Sequence, residues 1–156
     1  MIRKLLSLLV INCALLFCSM VYADTGYIKP DIQHAAYGNL KIVMPVATSD
    51  HHIQEMELRN IANTINTMKQ WQGTVTVRVV VYAAGVSLLE TPTPPMKQQM
   101  AALRKAGVNF YVCNNTLHER NIDYHTLEGI DAAHVVPGGV LEIAWLQTQG
   151  YVLVPV

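Results

Sequence analysis

The chain carries no excess of either charge, with 11 Lys and Arg against 11 Asp and Glu. Nucleic-acid binders show a basic footprint, and none is present here. No run of like charges marks a disordered tail or a membrane-surface patch. Cysteine is scarce, at three residues. No C-x-x-C or H-x-x-x-H pairing accompanies them, so the spacing that builds zinc sites is missing. Cys113, His118 and His125 could be grouped on paper, but without paired spacing no metal site is expected. There is no G-x-S-x-G elbow for a serine nucleophile. Gly138-Gly139 lacks the lysine of a phosphate loop, and Ala83-Ala84-Gly85 is not a dinucleotide fingerprint, so no cofactor is expected. Internal repeats and signs of a second domain are also lacking.

What is present begins with an export pattern. Arg3 and Lys4 precede an apolar run from Leu5 to about Val21, broken only by Ser7, Asn12 and Ser19. Val21-Tyr22-Ala23 places small residues at the two positions that a signal peptidase reads, so residues 1–23 read as a signal peptide cleaved after Ala23. The competing reading is an uncleaved anchor. The run is barely long enough to span a bilayer, and Asn12 weakens it. Phe17 before Cys18 and Asn12 before Cys13 do not suit a lipoprotein signal, so no stable membrane anchor is expected after cleavage. The mature chain, 24–156, is expected to be a single domain in the periplasm or secreted. It is long enough to bury a core without disulfides. Losing Arg3 and Lys4 leaves it slightly acidic.

Apolar spacing then organises the chain. Residues Asp24 to Asn39 read as an irregular arm. Leu40–Ala47 is a strand in which Pro45 suggests an edge position or a bulge. Thr48-Ser49-Asp50 supplies cap residues for a helix with Leu58, Ile61, Ala62, Ile65 and Met68 on one face, ended by Gln72-Gly73. Thr74–Tyr82 is rich in β-branched residues and apolar on both faces at its end, which predicts a central, doubly covered strand. Glu90–Pro95 reads as a loop and about Pro95–Ala106 as a helix, stopped by Gly107. A third strand leads to Cys113, and short turns fill Asn121–Ile130. Ala133–Val136 is a fourth strand, which would make His134 a strand residue and a core histidine. A last helix carries Val140, Ile143, Ala144 and Gln147, and Tyr151–Val154 is a fifth strand. This alternation predicts an α/β fold, a three-layer α/β/α sandwich around a mostly parallel five-stranded sheet. Chemistry in such sheets gathers at the carboxyl ends of the strands, where Cys113 and the turns at 48–50, 83–85 and 137–139 all fall.

Cys113 is the one cysteine of the mature chain. It stands where Val108–Val112 ends and Asn114-Asn115-Thr116-Leu117-His118 begins, at a strand end facing a helix start. N–H groups and the helix dipole stabilise a thiolate there, and the thiolate is the nucleophile. A buried cysteine acting as a small hydrophobe is the competing reading. His118 and Arg120 could add positive charge, and Asn115 and Thr116 stand beside them as supporting candidates. Both His118 and Arg120 also fit plain surface positions. Asn114-Asn115-Thr116 formally matches a glycosylation acceptor, which matters only in a eukaryotic secretory pathway. Met56, Met68, Met96 and Met100 fall at core spacing. Trp71 and Trp145 suit packing or subunit contacts.

Three segments together, Tyr111–Leu117, Val135–Val140 and Leu146–Tyr151, resemble the DsrE/DsrF-like family, and most closely its exported branch. The resemblance covers about Asn39 to Pro155. It implies an α/β/α sandwich that assembles into trimers or hexamers. It also implies a cysteine, here Cys113, that accepts a persulfide sulfur and passes it to a partner. Two departures stand out: Asn114 replaces a frequent glycine, and Tyr82-Ala83-Ala84-Gly85 replaces a turn that often carries histidine. The resulting expectation is a homo-oligomeric, exported sulfur-handling protein with a sulfur donor or acceptor protein as partner. The Pro92-Thr93-Pro94-Pro95 loop is expected to help shield the sulfur. The alternatives are an oligomeric binding module with a structural cysteine and a redox-sensing thiol.

Overall fold

A computed structural model describes residues 26–155 apart from 29, 33 and 35. The expected signal peptide, with Cys13 and Cys18, lies outside the described residues. Of the two compact units into which the chain divides, the second, from Gln33 onward, carries every helix and strand described here.

Five parallel strands form one sheet in the order β4-β3-β2-β1-β5. They are β1 (Asn39–Val46), β2 (Thr74–Val81), β3 (Asn109–Cys113), β4 (Val135–Val136) and β5 (Val152–Leu153). The helices are α1 (His51–Gln70), α2 (Ser87–Glu90), α3 (Pro94–Lys105), α4 (Asn114–Arg120) and α5 (Gly139–Thr148). The sheet is entirely parallel, and the expected α/β class stands.

Alternation of side chains along β1 and β2 supplies two unequal cores. Ile42, Met44, Val46, Val77, Val79 and Val81 face a large cluster with Leu58 and Ile61 of α1, Met96, Met100 and Leu103 of α3, and Leu117 of α4. Val43 and Val80 face the other way, onto Ile143 and Leu146 of α5 and onto Tyr151. The smaller cluster leaves part of that sheet face to polar and aromatic groups. There the Arg78 guanidinium sits 5.3 Å from the Tyr111 ring centroid and 5.2 Å from that of Tyr151. β2 is thus the central, doubly covered strand expected from its run of valines.

Several elements differ from the sequence reading, each for a local reason. Pro45 lies in an interior strand, aligned with Val80 and without a bulge. Residues alternate their backbone groups between neighbours, and Val46 O accepts from Tyr82 N while Val43 O accepts from Val154 N. Pro45 therefore turns its missing donor toward the β5 side, where the β1–β5 register has already ended at Val43–Leu153. Glu90 closes α2, and Pro94 and Pro95 form the first turn of α3 rather than a loop. Proline is at home there because first-turn N–H groups have no helical acceptor, and Thr93 caps the helix by accepting from Met96 N. Ala132–His134 is a 3-10 turn, so only Val135–Val136 is strand. Asp131 enforces that turn by accepting from Ala133 N, and its carboxylate lies 2.7 Å from His134 Nδ1. His134 is accordingly a turn residue bonded to Asp131, not a core one. The fifth strand contracts to two residues, with Tyr151 buried just before it.

The first helix begins where its cap residues imply, with Asp50 Oδ1 accepting from His52 N at 2.8 Å and Ile53 N at 3.3 Å. Trp71, at its end, packs with the rings of His34 and Tyr37. Gln54, fully buried, ties the end of β1 to the turn after β2: its Nε2 donates to Thr48 O at 2.7 Å and to Ser87 Oγ at 3.0 Å. The same turn approaches β1 so closely that a Cβ on Gly85 would lie 2.1 Å from Val46 O. That contact involves backbone on both sides and cannot be relieved by a rotamer change. Gly85→Ala is therefore expected to destabilise the protein by about 1–3 kcal/mol or more, the cost of overpacking, read as a lower midpoint in urea unfolding.

Candidate functional site

The strand order places Cys113 in a crevice. The chain leaves β3 into α4, whose Leu117 joins the larger core, and leaves β4 into α5, which covers the opposite face. Adjacent strands whose connections part to opposite faces open a gap at their carboxyl ends. Cys113 is both the last residue of β3 and the N-cap of α4, and Val136 beside it leads through Pro137-Gly138 into α5. The thiol thus meets the starts of two helices, of which the sequence reading recognised only the first.

Donors converge on the sulfur. The N–H groups of Thr116, Gly139 and Asn115 and the Thr116 hydroxyl act on it, each favouring the thiolate. Burial pushes the Cys113 thiol up, but these donors together outweigh burial and hold it below its ordinary value. The Thr116 hydroxyl is itself oriented, because its oxygen accepts from Ala83 N at 2.9 Å and its proton is thereby directed to the sulfur. Ala83 has φ +50°, a left-handed conformation that an alanine adopts only under strain. The turn that lacks a polar side chain therefore still reaches the cysteine, through its backbone. Gly139 is required for the approach of α5: a Cβ there would lie 3.0 Å from Tyr82 Cβ and 3.2 Å from Cys113 Cβ.

Cys113 is only 5 % exposed, which by itself would suit a packing cysteine. Yet it lines a cavity of about 490 Å³, together with Tyr82, Ala83, Asn115, Thr116 and Gly139. Val140 and Leu141 of α5 form its outer wall. The Pro92–Pro95 segment, expected to shield the sulfur, is not among the lining residues. Its Thr93 caps α3 instead, and the shielding falls to Tyr82 and the start of α5.

The candidates chosen from sequence separate into two pairs. Asn115 and Thr116 share the Cys113 cavity and act on the thiol. His118 points into a different cavity, of about 540 Å³, shared with Asn114, Asn121 and Tyr124. Arg120 Nη1 donates to Ala83 O at 3.3 Å, and Nη2 lies 3.8 Å from Glu90 Oε2. Neither side chain is among the groups that act on the thiol, so the expected positive charge is replaced by N–H dipoles. Asn114, in the position of a frequent family glycine, is exposed and lines the His118 cavity. His125 pairs with Asp123 at 2.7 Å, away from Cys113 in its contacts. Among the described residues no three His, Cys, Asp or Glu side chains converge as a metal site. Among them, too, no helix is long and apolar enough to cross a membrane. Gly139 is the functional residue that the sequence reading left unassigned. Its signal was the Gly138-Gly139 pair directly after a strand, read only as a turn.

The family pattern described as DsrE/DsrF-like matches residues 41–155. The chain belongs to the DsrE/DsrF-like family. Cys113, Asn115, Thr116 and Gly139 all lie within the matched stretch, and the family is associated with sulfur relay in general. A solved structure of a protein of unknown function from Methanobacterium thermoautotrophicum is similar, at 27% sequence identity and a TM-score of 0.65. The likeness covers 75% of this chain and 99% of that one. No curated protein matches the sequence.

The donor set predicts a pH-dependent reactivity. Alkylation of Cys113 should show a midpoint below the ordinary thiol value of about 8.5. Thr116→Val should raise that midpoint by removing the hydroxyl donor, and should cost about 1–3 kcal/mol by leaving Ala83 N–H without its acceptor. Rates of iodoacetamide labelling against pH, with thermal melts on the same samples, check both. A wild-type midpoint at or above the ordinary value contradicts the arrangement.

Proposed function

We propose that the protein is an exported sulfur carrier in which Cys113 receives a sulfane sulfur and hands it to an acceptor. The observation that carries this reading is the convergence of three backbone N–H groups and one hydroxyl on a shielded sulfur at a cavity wall. Sulfur transfer needs a thiolate at neutral pH and a pocket that keeps water and stray thiols from the product. In the loading step the Cys113 thiolate attacks the outer sulfur of a persulfide or polysulfide donor. A new S–S bond forms on Cys113, the donor's S–S bond breaks, and the donor leaves as a thiolate or shortened polysulfide. Electrons balance without an external oxidant, so sulfide alone is not a donor. The N–H groups that hold the thiolate also suit the persulfide anion that replaces it. Unloading is the same exchange with an acceptor thiolate.

A redox-sensing role through an intersubunit disulfide fits less well. Bridging requires Cα atoms within about 7 Å, and a cysteine this deeply set does not offer that approach without backbone movement. Export rests on the N-terminal charge and apolar pattern, and it restricts donors and acceptors to those outside the cytosol.

Assembly into trimers or hexamers is supported by α5. That helix is apolar nearly all round, which is the mark of a helix buried on every side. Yet Val140, Leu141 and Trp145 are 68%, 74% and 52% exposed in the single chain. A second copy covering this face would also close the outer wall of the Cys113 cavity, since Val140 and Leu141 belong to both.

Incubation of the mature protein with inorganic tetrasulfide should add one or more sulfur atoms by intact mass, reversed by a reducing thiol. Cys113→Ser should add none and melt close to wild type. No adduct on wild type, with a clearly lowered melt for Cys113→Ser, would mean that the cysteine is packing. Light scattering should give a multiple of the chain mass, and Trp145→Asp should shift it toward the monomer. A monomeric wild type at micromolar concentration overturns the assembly.

A further inference from the structure

We propose that a second cavity, at the carboxyl end of β1 and floored by Glu57, binds a small organic ammonium ion. Glu57 sits on α1 and is 4% exposed. Its Oε2 is buried with no hydrogen-bond partner, and no lysine, arginine or histidine among the described residues pairs with the carboxyl. Burial alone pushes this carboxyl up to about 7. Among the described residues no hydrogen bond to Oε2 and no ion pair explains why a carboxyl is kept there. Burying a carboxyl without a partner carries a desolvation cost that an apolar side chain would not. A group retained in so unfavourable a place is explained by a partner that arrives from outside.

The surroundings define that partner. Glu57 lines a cavity of about 260 Å³, with Pro45, Ile53 and Pro155 as apolar wall and Thr48 and Tyr82 as the remaining polar and aromatic groups. Thr48 Oγ1 already accepts from Asp50 N at 3.1 Å and has a second lone pair to offer. A carboxylate, a hydroxyl oxygen and an aromatic ring are the complement of an ammonium group, which carries three donors and a compact positive charge. The volume lies below the roughly 300–1,000 Å³ of drug-sized sites, so the fitting ligand is an amine of a few carbons. A metal ion is a poorer match, because one carboxylate does not supply the several oxygens that a hard cation takes. Tyr82 also borders the Cys113 cavity, so the two sites share a wall. The cation site nevertheless does not depend on the sulfur reading.

The test is a titration of the mature chain with n-propylammonium chloride above pH 7, where the carboxyl is ionised. Backbone amide shifts of Thr48 and Ile53 are followed by NMR, at constant chloride. Saturable shifts are expected, and n-propanol at equal concentration should not reproduce them. Glu57→Gln, which keeps the shape and removes the charge, should weaken binding by about ten- to hundredfold. Glu57→Met is the second variant and should behave likewise while melting no lower than wild type. Absence of saturable shifts, equal binding of n-propanol, or unchanged affinity in Glu57→Gln would each overturn the site. Failure of both variants to fold would overturn it as well, because the carboxyl would then serve the structure.

Discussion

Gly139 lies against Cys113 and Tyr82 at distances that a Cβ could occupy only if its neighbours gave way, and the cysteine site depends on that approach. It brings the start of α5 onto the sulfur and adds the Gly139 N–H to those supplied by α4. It also sets the N-terminal end of α5 on its side of the sheet, where Ile143 and Leu146 cover Val43 and Val80. A larger residue would hold the helix away, open the cavity and take one donor from the thiol. The close approach at Gly85 does the corresponding work on the other side of β2, locking the turn that carries Ala83 against the end of β1.

Two consequences follow for the chemistry. First, the groups that hold the thiol below its ordinary value are N–H dipoles and the Thr116 hydroxyl and not a neighbouring cation. Backbone dipoles are fixed by the fold and do not titrate, so the stabilisation persists across the pH range in which the protein stays folded. A histidine in that role would switch with pH near neutrality. Second, the thiol is shielded while remaining at a cavity wall. This combination suits a sulfur that must survive between donor and acceptor better than it suits a rapidly exchanging surface thiol.

The carboxyl edge of the sheet carries unequal sites side by side. The Cys113 cavity lies at the ends of β3 and β4, and the cavity lined by Glu57 of α1 lies at the end of β1. Tyr82, just past the end of β2, separates them. A parallel sheet delivers this arrangement without special design, because all strand ends and their following turns share one edge.

Much of the fold was legible in the sequence for a simple reason. The valines of β2, the apolar stripe of α1 and the position of Cys113 at the end of a strand are local patterns with fixed periods, and packing had only to accept them. The bounds of the short elements were not legible. Ala132–His134 became a turn because the Asp131 side chain competes for backbone donors, and β5 shrank because its pairing with β1 covers two positions only. The site was half legible for the same reason. Asn115 and Thr116 are two and three residues past Cys113, and a helix start places both N–H groups on its N-cap residue. His118 and Arg120 were within reach in sequence but turn to other partners, which only the packing of α4 decides. Gly139 and Glu57 are distant from Cys113 along the chain or unremarkable in composition. Their roles arise from crossovers and helix orientation, and those belong to the tertiary structure. By itself the sequence determined a parallel α/β domain with Cys113 at the carboxyl edge of its sheet. Only the tertiary structure decided which groups meet that sulfur, because donors from two separate helix starts, α4 and α5, converge there through space and not along the chain.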